Sequence, residues 1–147
     1  MEHIERTIRV KKTPEQVWDY LSDFRSTSDW DPGTVTTVRQ SGDGGPGTVY
    51  HNTSKFLGLE TEIVYTVIDV EPGRLIRLRG LNKSVTATDT ITVEPDDGAG
   101  TTGTAVTYRA EFEFHGVAKL ADPVAGIPLK KLGDDAEKNL TEALNRL

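Results

Sequence analysis

From Thr34 to about His115 the chain runs in β-rich stretches broken at hairpin spacing by turn residues, and no helix-length apolar period interrupts them. Strands joined by short turns pair with their neighbours in the chain, so this order dictates an antiparallel meander. Gly42-Asp43-Gly44-Gly45-Pro46-Gly47 reads as a loop and Leu57-Gly58 as a tight corner, while Glu71-Pro72-Gly73-Arg74 has Pro and Gly where a type II turn wants them. Asn82-Lys83 and Pro95-Asp96-Asp97-Gly98-Ala99-Gly100 mark two further reversals. Upstream, Ile4, Ile8 and Val10 share one parity and Glu5, Thr7 and Arg9 the other, a half-buried strand with Arg6 on its apolar side. The total is about seven strands, enough for a wide curved sheet.

Such a sheet needs a cover on one face. In the last strand Val106, Tyr108, Ala110, Phe112 and Phe114 share a face, and Thr107, Arg109, Glu111 and Glu113 share the other. The tail supplies the matching surface: Leu129, Leu132, Ala136, Leu140, Ala143 and Leu147 recur at steps of three or four with polar residues between them, an amphipathic helix. Ahead of it Asp122-Pro123 and Gly126-Ile127-Pro128 imply a kink or a short separate helix, because each proline removes a backbone donor. Between the first strand and the meander, Thr13-Pro14-Glu15-Gln16 has the form of a capping box, with Val17, Trp18, Leu21 and Phe24 on the buried side of the helix it starts. A second box-like start, Ser26-Thr27-Ser28-Asp29, leads to Trp30, and Asp31-Pro32-Gly33 ends that helix within a turn or so.

Composition narrows the partners. The 147 residues suit one domain with one core, spanning 1–147. With 17 basic against 23 acidic residues the formal charge is −6, a field that repels phosphate backbones and anionic lipid, so no nucleic acid is expected. The absence of cysteine excludes disulfides, thiolate nucleophiles and cysteine-ligated metal. The N-terminus lacks the apolar run of a secretory signal, and no stretch approaches the ~20 apolar residues that span a bilayer. A cytoplasmic protein without membrane insertion, monomeric or homodimeric, is the expectation.

The order strand, two short helices, six-strand meander and long C-terminal helix resembles the START and birch-pollen-allergen-like (SRPBCC) superfamily, in particular its bacterial polyketide cyclase/dehydrase branch. The matching residues are Thr13-Pro14-Glu15-Gln16-Val17-Trp18, the Leu21-Ser22-Asp23-Phe24 run with Trp30-Asp31-Pro32, and Val70-Glu71-Pro72-Gly73-Arg74-Leu75 at a strand corner. The resemblance covers essentially the whole chain and implies an α+β helix-grip fold, a curved antiparallel sheet wrapped around the C-terminal helix with a cavity between them. Members use such a cavity to carry lipids or hormones, to cyclise polyketides, or serve only as binding or co-chaperone modules. These motifs identify a scaffold, and the chemistry has to be read from the site.

If even-numbered residues of the first and last strands face the helix, Arg6 and Tyr108 point inward beside Ala110 and Phe112. An inward arginine needs a partner: Asp89, which shares a parity with Val85, Ala87, Ile91 and Val93, or a ligand oxygen, or else solvent reached along its stem. Tyr65 lies between Ile63 and Val67, where its hydroxyl can orient a ligand or bond to Asp89, although residues 59–70 are apolar on both parities and leave its side open. His51 is the one histidine placed for internal acid–base work, against the common reading of a strand histidine as exposed. Trp30 is the better cavity-wall tryptophan, Trp18 being an anchor between helix and sheet. Ile76, Leu78, Val124 and Ile127 complete the apolar lining.

No metal-ligand spacing, Gly-x-Ser-x-Gly elbow or phosphate-binding loop is present, so no cofactor is expected. The sequence points to a binding or carrier domain for an apolar small molecule, lipid or polyketide-like. An enzyme of the cyclase/dehydrase type is the alternative, with Arg6, His51, Tyr65, Asp89 and Tyr108 polarising a carbonyl and moving a proton. A protein-interaction module is the third reading.

Overall fold

The computed structural model describes residues 2–56, 58–96, 103–115 and 128–147. The first strand, β1 (Glu2–Val10), is followed by α1 (Pro14–Leu21), a 3-10 turn over Phe24–Ser26 and α2 (Thr27–Trp30). The capping box of α1 is complete: Thr13 Oγ1 accepts from the Gln16 N–H at 3.2 Å, and Gln16 Oε1 accepts from the Thr13 N–H at 3.1 Å. The second box does not form. Ser26 is already helical, as the last residue of a turn capped by Asp23, and its hydroxyl accepts from Trp30 Nε1 at 3.2 Å instead of capping α2.

Six strands then run β2 (Thr34–Ser41), β3 (Val49–Phe56), β4 (Leu59–Glu71), β5 (Leu75–Leu81), β6 (Val85–Asp96) and β7 (Gly103–Phe114). They and β1 form one antiparallel sheet in the order β1-β7-β6-β5-β4-β3-β2, so the N-terminal strand closes onto the last one. The turn between β4 and β5 is the one its residues demand: Gly73 has φ 80° and the Arg74 N–H reaches the Glu71 carbonyl at 2.9 Å. At the next reversal Asn82 Oδ1 accepts from the backbone of Ser84 and Val85. The strand before the Gly-rich loop runs on through Pro95 to Asp96, which pairs with Gly103.

Alternation decides which face is covered. Val85, Ala87, Ile91 and Val93 of β6 are buried, and so are Val106, Tyr108 and Ala110 of β7. The doubly apolar middle of β4 is explained by a register shift between Val67 and Asp69: Ile63, Tyr65 and Val67 face the core, and after the shift Val70 joins them. Val64 and Ile68 are left on the outer face, 39% and 38% exposed. Tyr65 therefore faces inward.

The cover is α3 (Leu129–Asn145), which lies over β1 and meets α2. It buries Leu132, Gly133, Ala136, Leu140, Ala143 and Leu144. Leu147, assigned to this stripe by its spacing, lies past the helix end and is 37% exposed, and Leu144 takes its place. The kink or short helix expected before Pro128 lies outside the described residues. Among the described residues no helix is long and apolar enough to cross a membrane. The architecture is the helix-grip α+β fold.

Candidate ligand site

Between the concave face of the sheet and α3 lies a space of about 30 Å³, room for one or two water molecules. Ile4, Ile63, Leu132 and Ala136 form its apolar walls. Asp31, Ser54, Tyr65, Asp89 and Tyr108 bring oxygen atoms to it, and Pro32, Phe56 and Phe112 complete the lining. Asp31, Pro32, Phe56 and Phe112 are the partly exposed members and so make the rim.

The strand register gathers this set. Asp89 sits opposite Ala110, and Tyr108 opposite Ile91, which puts the tyrosine on the diagonal from the carboxylate. Tyr108 Oη donates to Asp89 Oδ2 at 3.3 Å. Asp89 is 4% exposed, and that burial, with the charge of Asp31 added, pushes its carboxyl up to about 8 against the opposing bond from Tyr108. Asp31 is pushed up to about 6 by burial, which outweighs the bond it accepts from Thr34. Burial first, and then the nearby carboxylates, hold the hydroxyls of Tyr65 and Tyr108 well above the ordinary tyrosine value. Near neutral pH the two acids therefore hold about one proton between them, mostly on Asp89.

A buried polar relay leads away from Asp31. Thr34 Oγ1 donates to Asp31 Oδ2 at 2.6 Å, Asn52 Nδ2 donates to Thr34 Oγ1 at 3.1 Å, and Ser54 Oγ donates to Asn52 Oδ1 at 2.7 Å. Asn52 Nδ2 also donates to Thr37 Oγ1 at 2.9 Å. The relay fills the space between β2, β3 and the end of α2 and fixes Asp31 at the rim. Tyr65 is 7% exposed, and its hydroxyl opens onto the space with no hydrogen-bond partner among the described residues.

Of the residues singled out by the sequence, Tyr65, Asp89, Tyr108 and Phe112 meet at this space. Trp30 is buried just behind it, with its ring edge on Tyr108 at 5.1 Å between centroids. Arg6 does point toward α3, but its partners are helix acids and not Asp89: Asp134 Oδ1 lies at 3.0 Å and Glu137 Oε1 at 3.7 Å. Gly133 makes room, since a Cβ there would lie 2.6 Å from the guanidinium carbon. His51 shares the outer parity of β3 and meets Glu62 at 3.6 Å on the far side of the sheet. Ala110 and Leu78 are buried within the sheet and do not reach the space. Ile76 lies toward the opposite end, in a groove with Trp18 and Val70. Val124 and Ile127 lie outside the described residues.

Asp31, Ser54 and Gly80 were not among the expected site residues. Asp31 reads as a helix stop and Ser54 as ordinary strand polarity. Gly80 carries a readable signal, because a glycine inside a strand marks close approach of another group. Here it pairs with Tyr65, whose ring lies over it: a Cβ at Gly80 would sit 2.6 Å from Tyr65 Cε1 and 2.7 Å from Ile63 Cγ2. Gly80→Ala is therefore expected to push the ring aside at a cost of about 1–3 kcal/mol. A urea midpoint equal to the parent protein's would refute this seating.

The family model described as polyketide cyclase/dehydrase and lipid transport matches residues 1–145. This chain belongs to that family. No curated protein matches it. Among solved structures, it is similar to the ZhuI aromatase/cyclase from Streptomyces sp. R1128, with a TM-score of 0.66 at 16% identity over 99% of this chain and 88% of that one. A START superfamily protein from Mycobacterium smegmatis has a TM-score of 0.71 at 16% identity, covering 98% and 94% of the two chains. Ara h 8.0201 has a TM-score of 0.63 at 15% identity and 99% coverage of both. At these identities the likeness is one of fold, and it bears out the START-like resemblance. Among the described residues of this family member, no three His, Asp or Glu side chains gather where they could hold a metal ion.

Proposed function

We propose that the protein is a binding or carrier domain for an apolar small molecule, lipid or polyketide-like, held between sheet and helix with its polar end at Asp89. The observation that carries this reading is the set of buried oxygen atoms in an apolar setting. Among the described residues Asp89 keeps one carboxyl oxygen without a partner and Tyr65 keeps a whole hydroxyl unbonded, in a space walled by Ile4, Ile63, Leu132 and Ala136. Both atoms open onto the space, where a guest or a water can take up their free hydrogen-bonding capacity, whereas the side-chain oxygen buried outright without a partner among the described residues is Tyr50 Oη, outside the lining. The space holds a ligand's polar end, and the body of the ligand leaves it at the rim between Phe56 and Phe112. The membership in a family described by lipid transport as well as cyclase activity supports the same reading.

Native mass spectrometry of protein purified from its own host tests it. The expected result is a small hydrophobic compound travelling with the chain and released by organic solvent. Bare polypeptide, together with failure to bind any added apolar amine, alcohol or acid, overturns it.

A second reading, a cyclase/dehydrase-type enzyme, is favoured by one observation: the Asp89 carboxyl titrates at about 8, close to the pH at which a general acid or base is most useful. Tyr65 and Tyr108 would then orient a carbonyl beside it. Arg6 and His51, included in the catalytic set on sequence grounds, stand apart from this group in the fold. The two readings separate on Asp89→Asn. A carrier keeps its affinity within a few-fold for a neutral guest, whereas an enzyme loses turnover by about 10²–10⁴.

A further inference from the structure

The polar atoms that line the cavity are almost all acceptors, and their hydrogen bonds show why. Thr27 Oγ1 donates to the Phe24 carbonyl at 2.7 Å, so in the 2.7 Å contact between Thr27 and Thr37 the proton comes from Thr37. Thr37 then has only lone pairs left and takes the amide N–H of Asn52, which turns the Asn52 carbonyl toward Ser54. Ser54 spends its one proton on that carbonyl and offers lone pairs to the cavity. Asp31 is oriented by the proton of Thr34, and Tyr108 spends its own on Asp89. Tyr65 keeps a spare O–H, Asp89 holds one more while it is protonated, and no lysine, arginine or histidine is among the described lining residues. Arg6, which points from β1 toward α3, is occupied by Asp134 and Glu137.

We infer that the cavity takes a ligand whose buried end is a protonated amine on an apolar body, and that it discriminates against carboxylates. This rests on the binding reading above and names the class of ligand. An ammonium group has three donors and no acceptor, the complement of Asp31, Ser54 and an Asp89 that releases its proton as the cation enters. It is about the size of a water molecule, which matches a space of about 30 Å³. A carboxylate there would face the charge of Asp31 and the Ser54 lone pairs with only the Tyr65 and Asp89 hydroxyls to bind it, and would be desolvated without a counter-charge. The body of the amine lies between the rings of Phe56 and Phe112 at the rim.

Isothermal titration calorimetry of the full chain at pH 7.5 with hexylamine, hexan-1-ol and hexanoate tests the inference. Hexylamine is expected to bind at least tenfold more tightly than hexan-1-ol, with no detectable heat from hexanoate. Asp89→Asn should reduce the amine's advantage over the alcohol by at least tenfold. Asp135→Asn, on the surface of α3, should leave it unchanged, which separates the cavity from the general pull of a chain with net charge −6. Hexanoate or hexan-1-ol binding as tightly as hexylamine overturns the inference while leaving the binding reading standing. So does an amine preference untouched by Asp89→Asn. Failure of all three probes to bind overturns both.

Discussion

Asp89→Asn is expected to stabilise the protein at pH 9 far more than at pH 5. Asp89 titrates at about 8 in the folded chain against an ordinary value of 3.8, so folding favours its protonated form. A raised carboxyl contributes stability that is fully present below its unfolded value and is lost as the pH climbs through its folded one. Each pH unit between the two costs about 1.4 kcal/mol, so between pH 5 and pH 9 the parent loses on the order of 4 kcal/mol that the asparagine variant keeps. For a chain of this size that is on the order of 10 °C in melting temperature. Asp31, raised to about 6, bends both curves in the same direction at lower pH and cancels from the comparison. Asp23 and Asp134 are held below their usual range by Arg25 and by Lys130 with Arg6 respectively, so their contribution is lost only as the pH falls below about 4, outside this window. Melting curves of the two proteins that run parallel from pH 5 to pH 9 would show that Asp89 is not the buried acid described here.

The second large effect is expected at Trp30. It is 1% exposed, its ring edge meets Tyr108, and its Nε1–H reaches Ser26 Oγ. Truncation to alanine removes a fully buried indole and leaves a cavity, which costs about 3–5 kcal/mol. It also removes the surface against which Tyr108 is packed, so the Tyr108–Asp89 bond loses its support. Trp18 packs against the core but is only partly buried, and Trp18→Ala is expected to cost less than half as much. Urea unfolding of both variants compares them directly. Equal losses would mean that the short α2 does not hold Trp30 as a structural wall of the site.

Much of the architecture was legible because its determinants are local. The capping residues of α1, the Pro72-Gly73 turn and the alternation of β6 and β7 are each set by backbone geometry within a few residues. The failures are local signals overruled by neighbours. Ser26 has the composition of a helix cap, but the turn before it already holds it in a helical conformation. The parity of β4 was open because a register shift lets residues of both parities reach the core. Leu147 continues the helical spacing beyond the point at which the helix ends.

The site was only half readable for a related reason. Tyr65, Asp89, Tyr108 and Phe112 stand on strand positions whose parity points inward, and parity is a property of the sequence. Asp31 and Ser54 belong to the site through a relay across β2, β3 and the end of α2, which no pattern within one segment announces. Arg6 had the inward parity without the cavity, since α3 brings Asp134 and Glu137 to it at a glycine.

Taken alone, the order and period of the residues determined the antiparallel meander, the covering helix and the side of the sheet that is apolar, because each follows from where successive side chains point. Tertiary structure alone decided which charges are partnered and which titrate in the physiological range. A carboxyl's affinity for its proton depends on what surrounds it from every side. For Asp89 those surroundings come from the opposite strand, the α2 end and α3, brought together only when the sheet closes on the helix.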